Sequence, residues 1–207
     1  MQKRRESTAR CFLLPVPMTM LKSLTGQFLI SAKHLRDTNF YRTVVLMVEH
    51  NKGGAMGLVI NRPSQVTVSR ALQGHFELPD TGDVVFTGGP VEKAALFILH
   101  NSQEFDGNES PVVPGLFVGN SPRVFEDIVL SASEGHEQLK FRIFAGCAGW
   151  AQGQLEGEIG RGDWLTYPAT TDIIFHEDPY AIWDTLCHQI SQEGDFLPSI
   201  PSNPEWN

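Results

Sequence analysis

Three glycine-rich blocks and a few polar side chains beside them are the places where this chain could do chemistry. The blocks are Gly53–Gly57 (GGAMG), Gly88-Gly89-Pro90, and Gly146–Trp150 (GCAGW), which runs on to Gly153. Clustered glycines let a backbone approach a ligand closely or turn back sharply. None of the blocks ends in G-K-[ST] and none reads G-x-G-x-x-G, so neither a Walker loop nor the dinucleotide fingerprint is present. Gly88 and Gly89 could aim backbone N–H groups at an anion in a cleft. The other reading is tight turns and close strand packing.

Asn61-Arg62-Pro63 follows an apolar run. Asn61 suits a turn, and Arg62 offers a planar fork of donors for a carboxylate or phosphate. Its alternative is a structural ion pair with Glu156 or Glu158. Trp150 and Gln154 are four apart, and Glu158 continues the same face if a helix begins at Trp150. The indole could stack on a ligand, and the amide and carboxylate could hydrogen-bond it. The alternative is a packing tryptophan with a capping glutamine. Glu156 or Glu158 could also act as a general base.

Cysteine and histidine chemistry has less support. Cys11, Cys147 and Cys187 form no C-x-x-C pair, which argues against a disulfide framework or structural zinc and for a reducing, cytoplasmic setting. Cys147, read in a loop after a strand, lacks a partner histidine assignable from spacing. The seven histidines show no H-x-H or H-E-x-x-H, so no metal or other cofactor is expected. With 16 Lys+Arg against 24 Asp+Glu, the formal charge is −8. No nucleic-acid motif offsets that charge, so direct nucleic-acid binding is not expected. No apolar run approaches the ~20 residues of a membrane helix, so no membrane span is expected.

The elements that must position these residues follow from periodicity. Strands are expected at Gly26–Ile30, Thr43–Glu49, Gly57–Asn61, Val84–Thr87, Ala95–His100, Leu116–Gly119, Leu139–Ala145 and Trp164–Tyr167, with a short one at Ile173–Phe175. Asn51–Gly54 turns the second strand into the third as a hairpin, and Pro63 is expected to end that return strand. Residues 101–114 and the glycine stretch 146–154 read as loops. Thr67 caps a short helix, Ser121-Pro122 opens an amphipathic one, and Asp178-Pro179 opens the last, with Ile182, Trp183, Leu186 and Ile190 on one face. Strict β-α-β alternation is missing, which predicts an α+β fold with a mixed, largely antiparallel sheet. Residues 1–20 read as a disordered basic tail, 21–194 as one domain, and 195–207 as a proline-rich tail.

Taken together, the ordered motifs resemble the YqgE/AlgH family of bacterial proteins from about Leu24 to Ile190. They are Leu24-Thr25-Gly26, Phe40 with VVLMVEHN to Asn51, and the specific block Gly54–Pro63. Gly88-Gly89-Pro90-Val91, Ala148-Gly149-Trp150, Gly153-Gln154-Leu155-Glu156, Glu158 and Trp164 complete the set. Two departures stand out: the family usually has Tyr at Cys147, and an Ala-x-Pro where this chain has Ser31-Ala32-Lys33. The resemblance implies a sheet curled into a partial barrel with flanking helices. It implies no established activity, although one branch is described as a transcriptional regulator linked to alginate synthesis. The expected function is a regulatory module binding a small anionic ligand or a protein partner, with Asn61, Arg62, Gly88, Gly89, Trp150, Gln154 and Glu158 as ligand-binding candidates and no catalytic residue. The alternative is a hydrolase or transferase with a carboxylate base.

Overall fold

The computed structural model describes residues 23–74, 82–105, 110–136 and 138–195. The tail expected at 1–20 lies outside them, as does the one expected at 195–207 except for Asp195, which closes the last helix. Nine strands among the described residues form one mixed sheet, with the central order β4-β5-β8-β3-β2-β1-β9. These are β1 (Gln27–Ser31), β2 (Val44–Asn51), β3 (Gly54–Val59), β4 (Pro63–Thr67), β5 (Val84–Thr87), β6 (Val91–His100), β7 (Phe117–Gly119), β8 (Phe141–Ala151) and β9 (Trp164–Pro168). Five helices among the described residues flank the sheet: α1 (Val68–Ala71), α2 (Pro122–Ser133), α3 (Gln154–Gly160), α4 (Thr171–Ile174) and α5 (Ile182–Asp195), the last entered through a 3-10 turn at Pro179–Ala181. The fold is α+β with a mixed sheet, as expected. The sheet curls but does not close into a barrel.

β8 organises the sheet. Its first half pairs in parallel with β5 and antiparallel with β6. Its second half pairs antiparallel with β3, from Gly57↔Ala148 to Gly54↔Ala151. At the changeover, Gly88 donates to the Ala145 carbonyl at 2.9 Å and accepts from Val59 N–H at 2.8 Å. Gly146 bends the strand with φ +73°.

The continuous apolar runs arise because both faces of the sheet are covered. Phe28, Ile30, Val44, Leu46, Leu58 and Ile60 face α4 and α5, where Ile174, Ile182, Trp183 and Leu186 complete the main core. The alternate residues Leu29, Val45, Met47 and Val59 face the other way, onto Trp150, Leu155 and Trp164. A third cluster packs α1 and α2 on β5, β6 and β8 through Val68, Val85, Phe125, Ile128 and Ile143.

Four expectations need correction. The glycine stretch expected as a loop is strand as far as Ala151, because pairing with β3 and Val91 satisfies its backbone. A helix does not begin at Trp150; α3 starts at Gln154, after Gly153 in the left-handed region. Pro63 opens the edge strand β4, a place where its missing N–H costs no ladder bond. Ile173 belongs to α4, since a three-residue apolar run carries no usable period.

Candidate functional site

The residues singled out from sequence fall into two neighbourhoods. In the first, Trp150 from the end of β8 and Trp164 from the start of β9 both donate their indole N–H to Glu158 Oε2, each at 2.8 Å. Gln154 donates to Glu158 Oε1 at 3.0 Å and accepts from Ala151 N–H at 3.1 Å. Phe40 stacks on Trp150 with centroids 6.1 Å apart and meets Trp164 edge-on at 5.4 Å. Both tryptophans are buried. Glu158 here is a buried-side acceptor with three donors, and Gln154 holds it. The i, i+4 step from Gln154 to Glu158 is helical, while Trp150 reaches the pair from the strand.

Beside this corner, His50 is fixed from both ends. Leu24 N–H donates to Nδ1 at 3.0 Å, so the ring proton is on Nε2, which lies 2.9 Å from Glu156 Oε1. A hydrogen bond from its own backbone N–H, then the bond from His50, hold the Glu156 carboxyl below its usual range, with burial opposing. Sequence spacing could not pair these two, which stand on elements far apart along the chain.

In the second neighbourhood, Asn61 and Arg62 lie between β3 and β4 and line a cleft of about 570 Å³ with Arg42, Pro63, Thr87 and Tyr180. Asn61 is a structural member: its Oδ1 accepts from Val44 N–H at 3.0 Å and its amide donates to the Arg42 carbonyl at 3.0 Å. Arg62 donates to the Tyr41 carbonyl at 3.0 Å. Among the described residues no carboxylate forms an ion pair with it. Neither Glu156 nor Glu158 is its partner. Partial burial lowers the Arg62 pKa and Asp37 acts against that shift. Arg42, by contrast, is paired with Asp184 and lies over the Trp183 ring at 4.5 Å. Tyr180 is 70% exposed at the rim.

Gly88 and Gly89 serve the sheet junction. The Gly88 N–H is engaged by Ala145 and is not a free donor for a ligand. A Cβ at Gly88 would lie 2.1 Å from the Gly146 carbonyl oxygen, and one at Gly89 2.2 Å from the Cys147 carbonyl. Cys147 is buried in β8, not in a loop, and burial foremost, then Glu92, raises its thiol pKa, which opposes thiolate formation. Among the described residues no three His, Cys, Asp or Glu side chains gather closely enough to hold a metal ion. No described helix is long and apolar enough to cross a membrane.

Sequence reading passed over Thr87, Tyr180 and Arg142. The first two carry no motif. Arg142 occupies a polar position of an alternating strand, and that pattern places it in solvent; the second covered face of the sheet keeps it half-buried instead.

A mixed nine-stranded sheet with its shared strand β8, the tryptophan–glutamate corner and the arginine cleft define a small α+β sheet protein. The chain belongs to the AlgH-like family (DUF179), whose model matches residues 28–194. Among relatives, a UPF0301 protein of Marinomonas sp. is 40% identical over 159 residues, covering 74% of this chain and 82% of the relative. One of Thioalkalivibrio sulfidiphilus is 37% identical over 177 residues, covering 84% and 92%. The solution structure of the AlgH protein from Pseudomonas aeruginosa superposes with TM-score 0.63 at 33% identity, over 86% of this chain and 93% of that one. A Corynebacterium diphtheriae protein shares the fold, with TM-score 0.66 at 24% identity, over 79% and 85% of the two chains.

Proposed function

We propose that this protein is a cytoplasmic regulatory module that binds a small anion at Arg62. The observation that carries the reading is a partly desolvated guanidinium in an open cleft with no carboxylate partner among the described residues. A fixed fork of N–H donors with spare capacity suits a carboxylate or phosphate. Thr87 is exposed beside it, and Tyr180 offers an aromatic edge at the rim. Gly88, Gly89, Trp150, Gln154 and Glu158 then support the frame around the ligand and do not touch it.

The catalytic alternative has weaker support. Glu158 already accepts three hydrogen bonds, and Glu156 has a lowered pKa, which makes it a poorer base. Free Cys147 and Cys187 agree with a reducing compartment. A formal charge of −8 favours regulation through a protein partner over direct DNA contact.

Isothermal titration with inorganic phosphate tests the reading. Saturable binding without turnover, lost in Arg62→Gln while circular dichroism is unchanged, supports it. Equal phosphate binding by Arg62→Gln overturns it, as does carboxylate-dependent turnover of nitrophenyl esters or phosphates.

A further inference from the structure

A second cleft borders the first across Pro63 and the Pro179–Tyr180 turn, and Arg142 lies in its wall. Its volume is about 310 Å³, enough for a small organic ligand. The register explains how it forms. Pro63 pairs with Phe86 and Phe86 with Phe144 on three neighbouring strands, and Arg142 precedes Phe144 by two residues on the same face. Arg142 therefore lies over the Phe86 ring, its guanidinium carbon 4.6 Å from the ring centroid. Nη2 donates to the His176 carbonyl at 2.6 Å. Nη1 is buried and has no hydrogen-bond partner. Among the described residues no carboxylate forms an ion pair with Arg142.

Burial brings the Arg142 pKa down to about 10, so the group is still a cation at neutral pH. A half-buried cation in a cleft wall, with no carboxylate partner among the described residues, has charge to spare for an anion. The surroundings narrow what that can be. The partly exposed Val84 and Phe141 supply apolar surface, which suits a ligand with an apolar body. Asp83 and Glu177 line the same cleft, and their negative charge disfavours a second charge on the ligand.

We infer that the Arg142 cleft is a binding site for a monocarboxylate with a compact apolar body, its carboxylate pairing with the guanidinium in the cleft wall and its body lying against Val84 and Phe141. The site stands on observations separate from those at Arg62. It differs in selectivity too: Arg62 accepts phosphate, whereas the Arg142 cleft rejects a dianion.

Benzoate, acetate and inorganic phosphate are the probes, read by amide chemical-shift titration of the full chain at constant ionic strength. Benzoate is expected to shift Val84–Phe86 and Phe141–Ile143 saturably. Acetate should need about tenfold more for the same shift, because it lacks the apolar body. Phosphate should leave these amides unmoved. Arg142→Gln should abolish the benzoate response and Arg62→Gln should retain it; the reverse pattern assigns the binding to Arg62 and overturns the proposal. Arg142→Lys keeps the charge but loses the fork, and should weaken benzoate about tenfold. If Arg142→Gln fails to fold, Arg142→Lys decides, because an unchanged benzoate affinity there overturns the inference. Absence of saturable benzoate shifts in the wild type, or equal displacement by phosphate, does so as well.

Discussion

The tryptophan corner and the arginine side of the molecule are both built from polar side chains beside aromatic rings, yet they are opposite in their hydrogen-bond accounting. At the corner every named group is answered: two indoles and an amide converge on Glu158, and His50 bridges Leu24 to Glu156. On the arginine side two guanidinium groups face clefts with one backbone carbonyl acceptor apiece. A reciprocated network holds a fold in one arrangement, since breaking any member strands the others. A cation without a carboxylate partner leaves capacity for a ligand. The difference shows why residue types alone misdirect: Trp, Gln and Glu look as ligand-ready as Arg until their partners are known.

Substitutions can break this contrast, beginning with the glycine junction that joins the two regions. Gly89→Ala places a Cβ 2.2 Å from the Cys147 carbonyl, so β5, β6 and β8 must move apart. A loss of about 4 kcal/mol or more, or failure to fold, is expected in denaturant melts. A near-neutral result would mean that the junction can relax and that the glycine block is kept for another reason.

Glu158→Ala comes next. It leaves the buried indole N–H groups of Trp150 and Trp164 without their acceptor. Each such loss costs about 1–3 kcal/mol, so urea unfolding should show a decrease of about 2–6 kcal/mol. A change below about 0.5 kcal/mol, the range of an ordinary surface site, would remove the distinction between the regions.

Glu156 sharpens the contrast through pH. Its folded-state pKa is lowered, so its ionised form stabilises the fold above the unfolded-state value, about 4.3. That stability is lost as pH falls through the lower folded-state pKa. Glu156→Gln should flatten the acid limb of the stability profile and leave the limb above neutrality unchanged. An identical acid limb in the variant would show that His50 and the Glu156 backbone N–H do not favour the carboxylate.

The smallest effect on stability is expected at the cleft. Arg62→Gln gives up one bond to the Tyr41 carbonyl and should change stability by less than about 1 kcal/mol. Thermal melts should nearly coincide with those of the wild type, while phosphate binding is lost. A large stability loss would place Arg62 with the corner, as a member of the frame.

Much of the frame was legible in the chain. The run from Val44 to Glu49 and the turn at Asn51–Gly54 specify the β2–β3 hairpin, because β-branched runs and glycine turns have local causes. Ser121-Pro122 and Asp178-Pro179 mark the openings of α2 and of the turn into α5, where a side-chain oxygen accepts a backbone N–H. Arg62 was recognisable as a donor fork after a strand, and Gln154 with Glu158 as a helical pair. Cys147 was misplaced, since Gly146 and Gly149 around it read as a loop, and only pairing with β3 and Val91 shows a strand.

What the sequence by itself determined is therefore local: turns, caps, the period of each strand, and which side chains carry charge or donors. Tertiary structure alone decided which of those donors are answered. Glu158 meets two indoles from different strands, and Glu156 meets a histidine 106 positions away. Arg62 and Arg142 reach neighbouring clefts because Pro63, Phe86 and Phe144 lie side by side on β4, β5 and β8. Local patterns fix backbone geometry through short-range sterics and hydrogen bonds, whereas a donor's partner depends on which strands the sheet sets side by side, and no periodicity within one segment encodes that.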